Sequence, residues 1–465
     1  MKAWIVALVW TAAAPSGVKA ESADAGFVRW AQSAAVPLTT WPAGCKRPEL
    51  RALGTMIGDA TVVALSEGVH TAAEPLEFRN CVLRYLVEEK GFTAIAIESG
   101  LVESRVVHDY VRGSAGELGA VLYDGITWTF DNLPQNHALV RWLREYNADP
   151  RLAHKVNFYG FDVPGSPGNP TPNRGPDVAL VEALKFLSRV DGEAATAFHA
   201  RLDGLLKSIR FDFGASAEPG YDTLDQRERD AISAAIADLL TVMERREADY
   251  TAASSPSDYA WAHRAAFGAR QTDEWLRQIP LGWRPVMSNG QIDYRGENAR
   301  FLATAQDVRD RAQADNIGWI VEREKPRGKI LLFAHRYHVS AAPVTTAWTL
   351  GNGWQQVKQE PAGTYLRQRF GDRLVTLGNL IGNGKVACSG YARTLEAPTE
   401  SVDGIAGRVG APMFMLDLRR APKPVAAWLD QERQLGQGDD AFEVAVGKAF
   451  DVLVYFDTVS PACPG

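Results

Sequence analysis

Two short segments, far apart in this chain, place proton-binding side chains directly after apolar runs. Ser66-Glu67-Gly68-Val69-His70 follows the run Thr61 to Leu65, and His335-Arg336-Tyr337-His338 follows the run Lys329 to Ala334. In open α/β sheets, ligands sit in the crevice outside the carboxyl ends of the strands. Three of the eight histidines fall at two such ends, which points to a site rather than to packing. Glu67 and His70 are three apart at a strand-to-helix turn, so both can enter one cleft. A histidine titrating near neutrality is the usual general base, and a carboxylate orients its ring and raises its basicity.

Further polar residues stand at comparable positions. Glu98 ends the run Ile95-Ala96-Ile97 and should open on the same rim as Glu67. A carboxylate directly after a buried run needs a partner, and Arg79, on the intervening helix, is the partner expected. His335 and His338 converge if the strand stops at Ala334 and a turn begins. Asp162, after Phe158-Tyr159-Gly160-Phe161, is a fourth strand-end acid, placed to hydrogen-bond a histidine. Arg309 and Asn316 lie on a helix ahead of the His335 strand, where packing against the sheet is as good a reading as a site role.

Several familiar chemistries lack their motifs. There is no GxSxG elbow and no HExxH. Gly382-Asn383-Gly384-Lys385 lacks the rest of a phosphate-binding loop, and no dinucleotide GxGxxG follows a strand. A His/Glu cluster without an obvious protein nucleophile suits activation of water, directly or on a metal.

The elements that must position these residues alternate. A strand at Thr61 to Leu65, a helix from Glu74 to Lys90 closed by Gly91, and a strand at Thr93 to Ile97 form a βαβ crossover, which requires parallel strands. A helix over His137 to Tyr146 precedes a strand over Lys155 to Gly160, and Pro164 to Pro176 reads as a loop. From Asp177 to about Arg277 the helical periodicity of Ala, Leu, Glu and Arg predicts an insertion of some four helices. Strand signals resume at Ile330 to Phe333 and Val452 to Phe456. The expected fold is α/β, a mainly parallel sheet flanked by helices, with a helical insertion at about 177–280.

At 465 residues, 46% apolar and 23% charged, the composition is globular. The net charge of −6 is spread along the chain, with no basic block to bind nucleic acid. Lys2, the apolar stretch Ala3 to Pro15 and Val18-Lys19-Ala20 predict a signal peptide over 1–20. The mature domain, 21–465, is then exported to a periplasm or secreted, with no further membrane segment. Export makes Cys45, Cys81, Cys388 and Cys463 disulfide candidates, with three pairings open. Cys81, on the buried face of a helix, reads equally well as a reduced core thiol.

With these residues in hand, the chain resembles the erythromycin esterase family. Ser66-Glu67-Gly68-Val69-His70-Thr71 is similar to its Gly-Glu-Gly-Ser/Thr-His-Gly signature, and Arg79 stands nine residues after the histidine. Glu98 in Ile95 to Gly100, Trp142 to Asn147, Phe158 to Asp162, Arg309-Asp310, Asn316 to Ile320 and Ala334 to Val339 match in order. Gly363 to Arg367 and Phe456 to Ala462 complete the match. The resemblance implies hydrolysis of an ester, in known members a macrolide lactone, with a resistance role. His70 would activate water without a covalent acyl-enzyme, and Glu67, Glu98, Arg79, His335 and His338 would line the site. Arg336, Tyr337 and Asp162 would contact substrate.

Ser66, Val69 and Thr71 stand where the family has two glycines and a hydroxyl residue, and Arg336 and Tyr337 replace smaller residues. Both changes narrow or recharge the cleft. The expected partner is a small-molecule ester or lactone, with no cofactor required. Two other readings use the same residues. One is a metal-dependent hydrolase holding a divalent ion on His70, His335, His338 and one acid. The other is an exported binding or polysaccharide-assembly protein without turnover.

Overall fold

The computed structural model describes residues 23–39, 47–152, 154–164, 177–206, 220–282, 287–288, 291–292, 297–326, 328–350, 353–388 and 391–463. The expected leader and most of the expected loop at 164–176 lie outside these residues.

A nine-stranded sheet organises the chain. Its strands are β1 (Val36–Pro37), β2 (Val62–Glu67), β3 (Ala94–Gly100), β4 (Asn157–Asp162), β5 (Ile330–His335), β6 (Leu374–Cys388), β7 (Tyr391–Glu396), β8 (Met413–Asp417) and β9 (Val452–Val459). The order is β1-β8-β9-β6-β2-β5-β3-β4, with β7 paired to β6. From β9 to β4 every neighbouring pair is parallel, while β1, β7 and β8 are antiparallel. The mainly parallel α/β sheet expected from the sequence is present. One feature of its order positions the chemistry: β5 is inserted between β2 and β3, so its end meets both.

Five helices matter for the site: α1 (Ala73–Lys90), α2 (Pro134–Ala148), α3 (Pro256–Leu276), α4 (Glu297–Arg323) and the single turn α5 (Arg336–Val339). Gly91 terminates α1 in the left-handed region (φ 70°), its N–H returning to the Leu86 carbonyl, as a C′ glycine does. Side chains alternate across each strand. Val63, Leu65, Ile95, Ile97, Leu331 and Phe333 pack into one apolar layer with Leu76 and Val82 of α1. Val62, Ala64, Ala94, Ala96 and Leu332 pack into the opposite layer with Ile317 and Ile320 of α4. Burial on both faces explains why these strands read as continuous apolar runs.

The helical insertion is present, with five helices among the described residues between Asp177 and Leu276 rather than four. The difference is a break at Arg246, where one long periodic stretch divides into Gln226–Arg245 and Glu247–Ala253. The insertion builds its own apolar core, including Leu184, Ile236, Leu239 and Trp275. Cys388 and Cys463 form a disulfide across 75 residues, and Cys81 is also disulfide-bonded, so its reading as a reduced thiol is corrected. No helix among the described residues is long and apolar enough to cross a membrane.

Candidate active site

Parallel pairing of β2 with β5 makes Glu67 and His335 register partners. On the other side of β5, Ile97 pairs with Phe333, so Glu98 comes level with the end of the same strand. Register between β3 and β4 then slips: Ile97 faces Gly160 but Gly100 faces Asp162. A bulge of this kind re-aims a side chain, and here it falls at Glu98-Ser99. The backbones come so close that a Cβ on Gly160 would lie 2.3 Å from the Ser99 carbonyl oxygen, so only glycine fits.

Glu67 and His70 form the expected pair, with His70 Nδ1 2.7 Å from Glu67 Oε1. Glu67 is buried, and its Oε2 has no hydrogen-bond partner among the described residues. The His70 side chain is 36% exposed, with ring centroids 5.2 Å from Phe130 and 5.1 Å from His335. Burial opposes charge on His70. The Glu67 hydrogen bond and the charges of Glu67, Glu98 and Asp440 outweigh it and raise the pKa to about 9.

His335 behaves oppositely. Burial, with His70 and Arg336 nearby, lowers its pKa to about 3 against the pull of Asp440 and Glu98. The ring is neutral at pH 7, with Nε2 3.3 Å from the Gly68 carbonyl and Nδ1 accepting from the Tyr337 N–H at 3.4 Å. The strand ends at His335, one residue later than read, and α5 begins at once.

His338 is fully committed. Its Nδ1 bonds Asp310 Oδ1 at 2.8 Å and its Nε2 meets Glu98 Oε1 at 3.2 Å. Burial disfavours the imidazolium, but Asp310 and Glu98 raise its pKa to about 10. Glu98 also accepts the His335 N–H (2.9 Å) and Arg309 Nη2 (3.0 Å). Burial works against its carboxylate, yet these cations hold its pKa well below the ordinary value.

Two sequence expectations need correction. Arg79 does not pair with Glu98. Its guanidinium bonds Asn80 Oδ1 and the Gln135 carbonyl and lies over the Phe333 ring. Burial lowers its pKa to about 10, with the Glu67 charge opposing that shift. Asp162 meets no histidine; it is fully buried and binds Arg309, Gln313 and the Trp128 indole N–H. Arg336 is buried and bonded to Asp403 Oδ1 and the Asn379 carbonyl. Tyr337 packs edge-on against His338, and its buried hydroxyl has no hydrogen-bond partner.

The residues missed come from distant parts of the chain. Asp310 anchors His338, and Gln313 helps hold Asp162. Asp440, ion-paired with Arg393, adds negative charge near His70 and His335. Trp128 covers Arg309 at 4.9 Å. Spacing on α4 carries Arg309, Asp310, Gln313 and Asn316 at intervals that share a helix face, a signal that reaches the site only once α4 is docked.

The metal reading can be tested on the donors. Both His338 nitrogens are occupied by carboxylates. Among the described residues, no three His, Cys, Asp or Glu side chains are arranged to hold a metal ion. This donor set does not fit the proposed site.

The site is a His/Glu cluster at the carboxyl rim of a mainly parallel α/β sheet. The erythromycin esterase family model matches residues 87–459, and the chain belongs to that family. It is similar to erythromycin esterase type II of Escherichia coli, 24% identical over 367 residues, which covers 78% of each chain. A crystal structure of a Bacillus cereus protein aligns with a TM-score of 0.73 at 22% identity, covering 94% of this chain and 98% of that one. A mutant of the erythromycin esterase EreC in its open conformation aligns with a TM-score of 0.67 at 18% identity, covering 92% and 97%. Family membership supports ester hydrolysis of a small molecule in general.

Proposed function

We propose that this protein hydrolyses a carboxylic ester or lactone with water as the nucleophile and the Glu67–His70 pair as its activator. The observation that carries this reading is the 2.7 Å contact of Glu67 Oε1 with His70 Nδ1, on a ring still open to the cleft. Glu67 fixes the tautomer, so neutral His70 offers Nε2 to water. That nitrogen takes a proton as the water oxygen adds to the carbonyl carbon. The same proton passes to the departing alkoxide as the C–O bond breaks.

The hydroxyls of Ser66 and Ser99, at the ends of β2 and β3, are already engaged. Ser66 Oγ bridges to the Leu377 carbonyl and the Asn379 N–H, and Ser99 Oγ to Thr127. Among the described residues no cysteine is free. His335, neutral and with a long bond to Gly68, can turn its Nε2–H to the carbonyl oxygen as charge develops there. His338, Arg309, Asp310 and Asp162 act as positioning residues that hold Glu98 and the β5 end.

Export follows as part of the same proposal. The bonded cysteines suit an oxidising compartment, since disulfides persist there and are rare in the cytosol. Thr71, Val69 and the Phe130 ring crowd the turn, which favours a slimmer ester over a macrolide ring. Mass spectrometry on macrolides and simple esters tests this. Gain of one water by a simple ester, absent with His70→Ala, is expected; conversion of no ester by folded wild type contradicts it.

A further inference from the structure

Away from His70, His335 and His338, a second cleft of ≈ 230 Å³ opens beside Leu101 and Val102, directly after β3. Its other wall is α3, with Trp261, Ala262, Arg264 and Ala265, and Arg189 of the insertion stands at its side. Trp261 and Arg264 are three apart on α3 and share one face. The two alanines between and beside them leave room there.

Both large side chains are buried, at 6% and 7% exposure. Among the described residues, Trp261 Nε1 and Arg264 Nε have no hydrogen-bond partner. Arg264 donates to Asn316 Oδ1 through Nη2, but among the described residues no carboxylate reaches ion-pair distance. Aromatic faces flank it instead, Phe267 at 4.3 Å and Trp319 at 5.8 Å. Arg105, at the mouth, is already taken by Asp109 and Asp258.

A buried guanidinium without an anion is expensive, and a native buried donor without an acceptor calls for an explanation. Indole and guanidinium nitrogens only donate. Of the three carboxylates in the lining, Asp109 and Asp258 hold Arg105 and Glu182 holds Lys185, so whatever completes this cluster must bring its own acceptors and negative charge. We propose that the cleft between α3 and the end of β3 binds a small oxyanion-bearing molecule, a carboxylate or phosphate, through Arg264 and Trp261. Burial lowers the Arg264 pKa to about 9, with Asp315 opposing, so the cation is still present at neutral pH to receive it. The volume lies below the roughly 300–1,000 Å³ of drug-sized ligand pockets, which limits the ligand to a small one. Leu101, Val102 and the alanines accommodate a short apolar portion.

Isothermal titration of the full chain with inorganic phosphate and, separately, with phenylacetate tests this. The wild type is expected to bind at least one of the two with 1:1 stoichiometry, and the one bound identifies the anion class. Arg264→Met should raise Kd at least tenfold. Trp261→Phe keeps the ring but loses one donor, and should raise Kd about three- to tenfold, as loss of one hydrogen bond does; it serves if the arginine variant fails to fold. His70→Ala should bind like wild type, because the cleft is separate from the ester site. Binding of neither anion, or equal binding by wild type and folded Arg264→Met, overturns the proposal.

Discussion

His70 and His335 stand with ring centroids 5.1 Å apart and in opposite charge states at neutral pH. Glu67 bonds one, while the other is desolvated between strands without a carboxylate hydrogen bond. Environments that push paired groups apart in this way assign acid–base roles. His70 is the group that gains and loses a proton; His335 remains a neutral donor.

This arrangement sets the pH profile of hydrolysis. The working base is neutral His70, so kcat/KM should rise with pH through an apparent pKa above 6.5. The limit is about 9, and solvent at the partly exposed ring draws the observed value below it. Glu67→Gln removes the raising charge and should shift the limb toward acid while lowering the plateau. Profiles from pH 5.5 to 10 for both proteins check this; coincident limbs would contradict it.

The buried His338 imidazolium should be required for stability. Replacing it by Phe leaves Glu98 and Asp310 facing one another without the shared cation. Breaking a buried ion pair in this way costs about 3–5 kcal/mol, measurable by urea unfolding. The folded pKa of His338 is raised to about 10. Its contribution is therefore fully present below its unfolded value near 6.5, and is lost as pH rises through about 10. Wild-type stability should decline over that alkaline window, and the Phe variant should lack this component.

Thr71 has φ 65°, where a β-branched residue is an outlier, and its buried hydroxyl has no partner among the described residues. The left-handed region costs an L-residue roughly 1–2 kcal/mol. Thr71→Gly should relieve it and raise stability by about 1 kcal/mol after glycine's greater unfolded freedom is counted. Thermal unfolding of the variant checks the sign.

The Cys388–Cys463 disulfide holds the segment that buttresses the His70 turn. Ala462 donates its N–H to the Thr71 carbonyl, and Ser460 and Glu74 bond each other. Removing a bridge across 75 residues should cost about 4 kcal/mol in the chain-entropy account. The Cys388→Ser, Cys463→Ser double variant should also lose activity before global unfolding. Parallel activity and circular dichroism melts separate the two.

Much of this was legible from local signals. Apolar runs that end in Glu67, Glu98, Asp162 and His335 marked buried strands and their rims, and Gly91 marked the end of α1. The strand order was not, because insertion of β5 between β2 and β3 is a long-range packing choice. For the same reason Arg309, 211 residues beyond Glu98, displaced Arg79 as its partner. Arg79 was expected to face Glu98, but its helix turns it onto Phe333. Asp440 follows Gly436-Gln437-Gly438, which reads as a turn, and nothing local connects it to a histidine.

The central claim is that water, activated by His70, attacks the ester directly. Hydrolysis of a converted ester in ¹⁸O-labelled water, with intact-protein mass spectra taken during turnover, tests it most directly. The account predicts one ¹⁸O in the product acid, no acyl adduct on the protein, and a loss of at least about 10²-fold in His70→Ala. An acyl adduct that forms and decays at the turnover rate, or a His70→Ala variant with wild-type activity, would contradict it.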